Sequence, residues 1–510
     1  MKALALWLCC TAAAQVAPFE LEKGPEPPAT RIDEIVESRW KKLGVEPPRF
    51  CSDAVFLRRA FLDLCGSIPT AAEARRFLED ESPGKRSALV DELMARGEFV
   101  DYRTMKWCDL LRVKAEFPIN LWPNAVQAYH RWIRDAEEHE LPYDQFARKL
   151  LVSSGSNFRD PQVNFYRAAA DRTPQGLAKA AALTFLGSRY EKWPEDLREG
   201  FARCFAKVGY KRTLEWKEEI VFFDTSPPAA ETELLMPDGS KRTVGPAEDP
   251  RAAFADWLLG DGKRIYARSI ANRIWYWLMG RGIVHEPDDF RPDNPPACPE
   301  LLDYLADELI ASGWSRRHLF GLILHSRTYQ RSFLPRNGDE SGARDFARYR
   351  VRRLEAEVLI DAINKITGTT ESYSSPIPEP FTFIPEDQPA VSLADGSITS
   401  PFLEMFGRPP RDTGLESERN DGPTAEQELH LLNSSHIRNK LLRSARLRSL
   451  IRGRRGFALA ELYLTILSRL PTDEEVDRVR EYARSGGSMD QVATDVAWAL
   501  LNGPEFLYRH

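Results

Sequence analysis

The sequence lacks the motifs by which common enzymes are recognised. Its 510 residues include seven cysteines, but no C-x-x-C pair occurs, so neither a zinc knuckle nor a disulfide framework is indicated. A Gly-rich phosphate loop, a G-x-S-x-G turn and an H-E-x-x-H motif are also absent. These absences argue against the familiar hydrolases and predict no metal site.

An excess of positive charge and long apolar runs are missing as well. Lys and Arg number 70 and Asp and Glu 76, a net charge of −6, so no overall positive field attracts nucleic acid. Beyond the first seventeen residues, no window approaches the roughly 20 apolar residues of a membrane span. We therefore expect no nucleic-acid partner and no transmembrane segment. With 43% apolar and 29% charged residues, the chain is typical of a globular protein of two or three domains.

The N-terminus is typical of a secretory signal peptide. Lys2 precedes a short apolar run, and small residues follow at Ala12 and Ala14. The pattern predicts a signal peptide over 1–14 and export to the periplasm or cell surface; the alternative is a frayed apolar N-terminus. Export would leave five scattered cysteines, among which one long-range disulfide stays open.

Apolar spacing predicts a mainly α fold of two helical domains with a small β-hairpin insertion between them. After an extended, proline-rich leader at 15–30, we expect the first helical domain at 31–208. The hairpin linker follows at 209–248, and the second helical domain occupies 249–510. A long loop rich in Pro, Ser and Thr interrupts that domain at 367–422.

Two capping boxes mark helix starts near the two ends of the chain. Thr70 is followed three residues later by Glu73, and Thr472 by Glu475, each directly after a proline. The flanking apolar residues match at a constant offset. This predicts a shared helix-turn-helix element, although two ordinary capped helix junctions explain the match equally simply.

A first candidate site combines an amide, two guanidinium groups and two carboxylates. Asn272 and Arg273 lie on a predicted helix beside tryptophans, Arg281 lies in the following turn, and Asp288 and Asp289 come next. Arginine binds carboxylates bidentately, so a structural salt-bridge cluster is one interpretation. The other is a polar pocket for a charged or sugar-like ligand, with the aspartates as acid and base candidates.

A second candidate lies in the proline-stiffened loop 407–424. It contains Arg411, Glu418 and Arg419, which are typical either of a ligand-binding surface or of a solvated ion network. A third is the acid-free basic segment 437–455, which is typical of a solvated helix face or of a surface for an anionic membrane, polysaccharide or partner.

We expect the first two candidates to converge. Charges beside tryptophans lose hydration and need partners, and local pairing satisfies only some of them. The residues expected to meet are Arg273, Arg281, Asp288, Asp289, Glu418 and Arg419.

Short motifs along most of the chain resemble the exported, planctomycete-type cytochrome-associated proteins, which pair two domains of unknown function. The first domain is indicated by RRAFLDLCGSIPT (58–70), WCDLLR (107–112), LPYDQF (141–146) and GSNF (155–158). The second is indicated by NRIW (272–275), GRG (280–282), PDDF (287–290), SRTYQ (326–330), GRPPR (407–411) and WALLNGPEFLYRH (498–510). The resemblance implies association with cytochrome c modules but no assigned reaction.

Two departures from that family pattern concern cysteine. Many resembling proteins carry a haem-attaching C-x-x-C-H run after the Phe-Leu-Gly segment, where this chain has SRYEKW at 188–193. They also tend to have Cys-Glu-Cys where this chain has LESER at 415–419. We therefore expect no haem and no other cofactor.

These observations favour an exported binding or scaffold protein that acts beside a surface electron-transfer or polymer-degrading system. Its expected partner is a surface protein or a polysaccharide. The alternative is a hydrolase on polysaccharide that uses Asp288, Asp289 or Glu418 with Arg273 and Arg419. Attachment to an anionic cell-wall polymer through the basic segment is a third hypothesis, and the sequence does not decide whether the protein is an enzyme.

Overall fold

The fold is known from a computed structural model that describes residues 24–226, 230–335, 345–420, 422–451, 458–486 and 488–510. The predicted signal peptide at 1–14 and the leader up to residue 23 lie outside the described residues. Helices dominate the described chain and the sheets are small, so the predicted mainly α class is confirmed.

The described residues before 325 form fourteen α-helices. Helices α1–α7 occupy Arg31–Leu43, Asp53–Cys65, Ala71–Glu79, Lys85–Met94, Gly97–Leu110, Pro123–Glu138 and Tyr143–Val152. Helices α8–α14 occupy Asn164–Arg167, Pro174–Ala181, Glu195–Ala202, Pro250–Leu259, Lys263–Met279, Pro299–Ala311 and Arg316–Leu324. A π-helical segment at Ala182–Leu186 extends α9.

The remaining helices begin after residue 355. Helices α15–α19 occupy Ala356–Thr367, Pro401–Met405, Ala425–Asn433, Ser435–Arg443 and Ala445–Ile451. Helices α20–α23 occupy Leu459–Leu467, Asp473–Arg484, Met489–Leu501 and Pro504–Leu507. The long loop predicted at 367–422 therefore contains only the short helix α16 and 3-10 turns within its described part.

Seven short strands form three antiparallel sheets in the part of the chain that the structure describes. They are β1 (Gly155–Ser156), β2 (Val208–Arg212), β3 (Glu219–Phe223), β4 (Thr232–Leu235), β5 (Lys241–Val244), β6 (Arg352–Arg353) and β7 (Tyr508–Arg509). Strand β3 lies between β1 and β2, β4 pairs with β5, and β6 pairs with β7. A turn at Met236–Gly239 closes the β4–β5 hairpin, with Gly239 N donating to Met236 O at 2.8 Å.

The apolar side chains form two buried clusters. The first joins helices on both sides of the β4–β5 hairpin, from Ile32 to Tyr349. The second joins the chain from Leu354 to Phe506 and includes Leu62 and Tyr102 from the N-terminal helices. Burial of this much apolar surface is the main driving force for folding. The domain boundaries drawn from the sequence stay a prediction.

Both predicted capping boxes are confirmed, and the two helix-turn-helix elements match closely. Thr70 starts α3 and Thr472 starts α21, each with the reciprocal hydrogen bonds to a glutamate. The preceding helices end at residues in the left-handed conformation, Gly66 with φ 56° and Ser468 with φ 62°. The elements also contact each other, because α3 packs against α20.

The basic segment after residue 436 is two helices within its described part. Ser444 interrupts it, because its hydroxyl accepts from Leu447 N at 2.9 Å and caps α19. Arg452, Arg454 and Arg455, which the sequence also assigned to this surface, lie outside the described residues.

The five cysteines after the predicted signal peptide are buried free thiols. Burial raises the pKa of Cys65 and of Cys108 to about 12, so both thiols stay protonated at neutral pH. Within the described ranges, no helix is both long and apolar enough to cross a membrane.

Candidate functional site

Arg273 and Asp288 form a buried ion pair that a third segment closes. Arg273 lies on α12, and its Nη2 is 2.7 Å from Asp288 Oδ1. The backbone N–H of Glu416 donates to Asp288 Oδ2 at 2.6 Å. Glu416 Oε2 lies 3.8 Å from Arg273 Nη1 and accepts from Trp277 Nε1 at 3.3 Å. The two segments expected to converge therefore meet through Glu416, which the sequence reasoning did not single out.

Asn272 orients the turn that presents the aspartates. Its amide donates to Val284 O at 3.0 Å and accepts from Val284 N at 2.8 Å. Gly280 begins the turn with φ 72°, a conformation that glycine adopts without strain. Burial lowers the pKa of His285, and the positive charge of nearby Arg281 lowers it further. Asn272 and Arg281 thus shape the loop beside the ion pair.

Asp289 points toward a different set of partners. Its carboxylate lies 3.2 Å from Lys192 Nζ and 3.1 Å from Arg291 Nε. Lys192 belongs to the segment that follows the Phe-Leu-Gly run, and Ser188 in the same segment donates to Phe290 O at 2.9 Å. Two adjacent aspartates therefore attach the loop to two separate parts of the protein.

Glu418 stabilises its own loop. Its carboxylate accepts backbone N–H groups of Asp412 at 2.9 Å, Thr413 at 3.2 Å and Gly414 at 3.4 Å. Backbone N–H donors favour the ionised carboxylate, so Glu418 acts as an acceptor that fixes the turn.

Arg411 and Arg419 share Asp109 as a partner. Arg411 Nε lies 2.8 Å from Asp109 Oδ1, and Arg419 Nη2 lies 2.7 Å from Oδ2. Arg419 also contacts Glu357 at 2.7 Å, and Arg408 lies 3.4 Å from the same carboxylate. Asp109 belongs to α5 and Glu357 to α15, so the arginines join two helices far apart in the chain.

These pairs continue into a larger set of buried charges, which we call the central ion network. Its members are Asp63, Lys106, Asp109, Arg352, Glu355, Glu357, Arg408, Arg411, Arg419 and Arg509. Asp63 accepts from the hydroxyls of Tyr329 at 2.8 Å and Tyr349 at 2.9 Å, and lies 3.1 Å from Arg509. The network spans both buried clusters of the fold.

Charge partners hold most of these groups ionised. Burial alone would raise the pKa of Glu355, but Lys106 and Arg509 outweigh it and hold the pKa well below its usual range. Burial opposes ionisation of Asp109 as well, and Arg419 and Arg411 lower its pKa. Glu416 differs, because burial raises its pKa and Lys106 and Arg273 offset only part of that effect. Among the candidate acids described here, Glu416 is thus the one poised to hold a proton.

Metal binding finds no support in the described ranges. They contain no group of three or more His, Cys, Asp or Glu side chains arranged to hold a metal ion. The candidate residues instead form a closed set of ion pairs, which joins helices and loops and leaves few acceptor sites open.

A mainly α protein with a buried ion network is the class that this fold and site define. Residues 31–188 match the model of a protein family of unknown function, DUF1549, also named PSCyt2. Residues 250–483 match a second family of unknown function, DUF1553, also named PSD1. The chain therefore belongs to the family of proteins that pair these two domains. Neither the curated proteins nor the solved structures contain a match to it.

Proposed function

We propose that the protein is an exported binding or scaffold protein of the cytochrome-associated family, without haem of its own, that acts beside a surface electron-transfer or polymer-degrading system. The observation that carries the proposal is that the candidate carboxylates are engaged. Asp288 is held by Arg273 and the Glu416 N–H, Asp289 by lysine and arginine, and Glu418 by backbone N–H groups.

Glycoside hydrolysis needs a protonated carboxylic acid beside the leaving oxygen and a second carboxylate facing the sugar. The Asp288 carboxylate is instead occupied by the buried guanidinium of Arg273 at 2.7 Å. Opening the pair for a substrate would leave a buried guanidinium without its partner, which costs several kcal/mol. A structural role for these groups is therefore favoured over catalysis.

The loop at 287–290 contacts both segments in which resembling proteins carry cysteine clusters. Ser188 and Lys192 contact Phe290 and Asp289 on one side, and Glu416 contacts Asp288 on the other. This supports the proposal that the chain keeps the scaffold of a haem or metal region and holds it together by ion pairs instead.

A hydrolase remains the second candidate because of one group. Burial raises the pKa of Glu416, which lies beside the Asp288 carboxylate, and an acid–base mechanism needs two such neighbouring groups. In this form of the hypothesis, Glu416 replaces Glu418 as the proposed acid.

A reducing-end assay separates the two candidates. The purified full chain, Glu416→Gln and Asp288→Asn would be incubated with cellulose, xylan and laminarin between pH 4 and pH 8. We expect no release above the protein-free blank for any of the three proteins. Release by the unsubstituted chain that disappears in Glu416→Gln would overturn the scaffold proposal and establish the hydrolase.

Export and the lack of haem have their own test. Intact-mass analysis of secreted protein should give a chain that begins after Ala14, and its visible spectrum should show no Soret band. A cytoplasmic chain that keeps Met1, or a Soret band that survives denaturing extraction, would contradict these expectations.

A further inference from the structure

A groove lies between one face of α6 and the loop 380–398. Its volume is about 580 Å³, within the range of roughly 300–1,000 Å³ typical of small-ligand sites. Gln127, His130 and Arg134 line it from the helix, at a spacing that places them on one face. The opposite wall includes Phe381, Thr382 and Phe383. None of these residues belongs to the central ion network.

The groove contains a hydroxyl that the described protein leaves without a partner. Thr382 is only 8% exposed, and in the described chain its hydroxyl makes no hydrogen bond. His130, which is half-buried, lines the same groove. A buried hydroxyl without a partner is costly, so a ligand that supplies one gains binding free energy there.

The charged groups of the groove already have partners. Arg134 is paired with Asp101 at 2.8 Å and with Glu138 at 2.8 Å. Asp395 accepts backbone N–H groups of Ala115 at 2.9 Å and Ser397 at 2.8 Å and keeps its negative charge. The histidine is uncharged at neutral pH, because burial and the arginines around it lower its pKa to about 3. The described groove lining thus offers neutral hydrogen-bonding groups and no unpaired cation.

Aromatic rings border the groove. Phe381 and Phe383 line it and are 48% and 72% exposed. Beyond Phe381, the ring of Trp122 lies 5.4 Å away, and Trp216 follows at 6.3 Å from Trp122. Phe381 and Phe383 thus present exposed apolar rings next to the Thr382 hydroxyl and the His130 imidazole, whereas Trp122 is half-buried behind them.

We propose that this groove binds a neutral oligosaccharide, as an isolated chain or as part of a polysaccharide. A pyranose ring has an apolar C–H face that packs on an aromatic ring and hydroxyls that both donate and accept. The hydroxyl of Thr382 and the neutral imidazole of His130 are also both donors and acceptors, so saccharide hydroxyls satisfy them completely. The inference names the ligand of the proposed binding protein and rests on that function.

A proline-rich peptide is the competing occupant of an aromatic groove. Its prolines offer carbonyl acceptors but no N–H donors, so a run of prolines would leave the acceptor nitrogen of the imidazole unsatisfied. An acidic saccharide would bring charge to a site without a free cation. The neutral saccharide is therefore the occupant that the groove chemistry favours.

The test is calorimetric titration of the full chain with cellohexaose, xylohexaose, laminarihexaose and mannohexaose, and with decaproline and a galacturonic acid hexamer for comparison. We expect binding of at least one neutral hexaose. Thr382→Val keeps the side-chain shape and removes only the unpartnered hydroxyl, so affinity should fall by about three- to tenfold. Thr184→Val is the matched control, because its hydroxyl is also buried without a partner but lies outside the groove.

A second pair of variants tests the aromatic border. Phe383→Ala should weaken binding by about two- to tenfold, whereas Phe117→Ala, equally exposed at 74% but outside the groove lining, should not. Binding of no neutral hexaose, binding of decaproline or galacturonate alone, or equal effects of the groove and control variants would overturn the proposal. Release of reducing ends with intact groove binding would instead refute the scaffold function and leave the groove in place.

Discussion

The central ion network and the groove beside α6 are both polar, but they differ in how their polar groups are satisfied. In the network, carboxylates such as Asp63 and Glu357 each meet several donors. In the groove, Thr382 and His130 are neutral, and the Thr382 hydroxyl lacks a partner within the described chain. Paired charges therefore join distant helices in the network, whereas neutral polar groups and aromatic rings line the groove. Measurements of the free energy of unfolding for variants in the two regions test this contrast.

The largest effect is expected at Asp63. Asp63→Ala removes the acceptor for two tyrosine hydroxyls and for the guanidinium groups of Arg352 and Arg509, all of which are buried. Uncompensated buried charges and hydroxyls should lower the free energy of unfolding by at least about 4 kcal/mol. Urea denaturation of the purified variant measures this loss of unfolding free energy.

The matched control is Asp477→Ala, which removes an exposed partner of Arg480. It should change the free energy of unfolding by no more than about 0.5 kcal/mol. Equal losses in the two variants would show that the buried network carries no special stability.

Arg273 gives the next largest effect. Arg273→Ala leaves Asp288 buried with only the Glu416 N–H as a partner, and should cost about 3–5 kcal/mol of unfolding free energy. Asp288→Asn removes the charge that needs compensation, so the double variant should lose much less than the sum of the single losses. Denaturation of all four proteins measures the coupling, and additive losses would contradict a direct ion pair.

Acid should destabilise the groove region through His130. Its pKa is about 3 in the folded chain against an ordinary value of 6.5. Between these values the unfolded chain binds a proton that the folded chain does not, so stability falls as the pH is lowered from 6.5 toward 3. At pH 5 this amounts to about 2 kcal/mol.

His130→Gln should remove this part of the acid loss, measured as the difference in unfolding free energy between pH 7 and pH 5. His139→Gln, at an exposed position at the end of the same helix, is the comparison and should keep it. An unchanged acid loss in His130→Gln would show that the imidazole is protonated in the folded chain.

Local features of the fold could be predicted because they depend on neighbouring residues. The capping boxes at Thr70 and Thr472 and the turn at Gly239 follow from side chains within a few positions of each other. The helix break at Ser444 was missed. The basic, apolar periodicity continues through it, and the competing hydroxyl cap is a weak signal.

The candidate site could be predicted only in outline. Burial of Arg273 and the aspartates beside tryptophans indicated that a distant partner was needed, and the loop after residue 410 supplies it. The choice of Glu416 depends on how that loop turns, which only tertiary packing decides. The groove gave no motif in the sequence, because its two walls lie some 250 residues apart in the chain and meet only in the folded protein.

The smallest effects are expected for the two threonines without hydroxyl partners. Thr184 is 2% exposed in the core, so Thr184→Val replaces an unsatisfied hydroxyl by a methyl group of similar shape and should raise the unfolding free energy by up to about 1 kcal/mol. Thr382→Val should raise it less, because Thr382 is 8% exposed and lies at the groove rather than in the core. Urea denaturation distinguishes the two threonine variants when it is done with and without the hexaose that binds best. A ligand that stabilises Thr184→Val as much as the unsubstituted chain, but Thr382→Val less, would tie the Thr382 hydroxyl to binding. A loss of more than about 1 kcal/mol in ligand-free Thr382→Val would instead show that the hydroxyl has a structural partner.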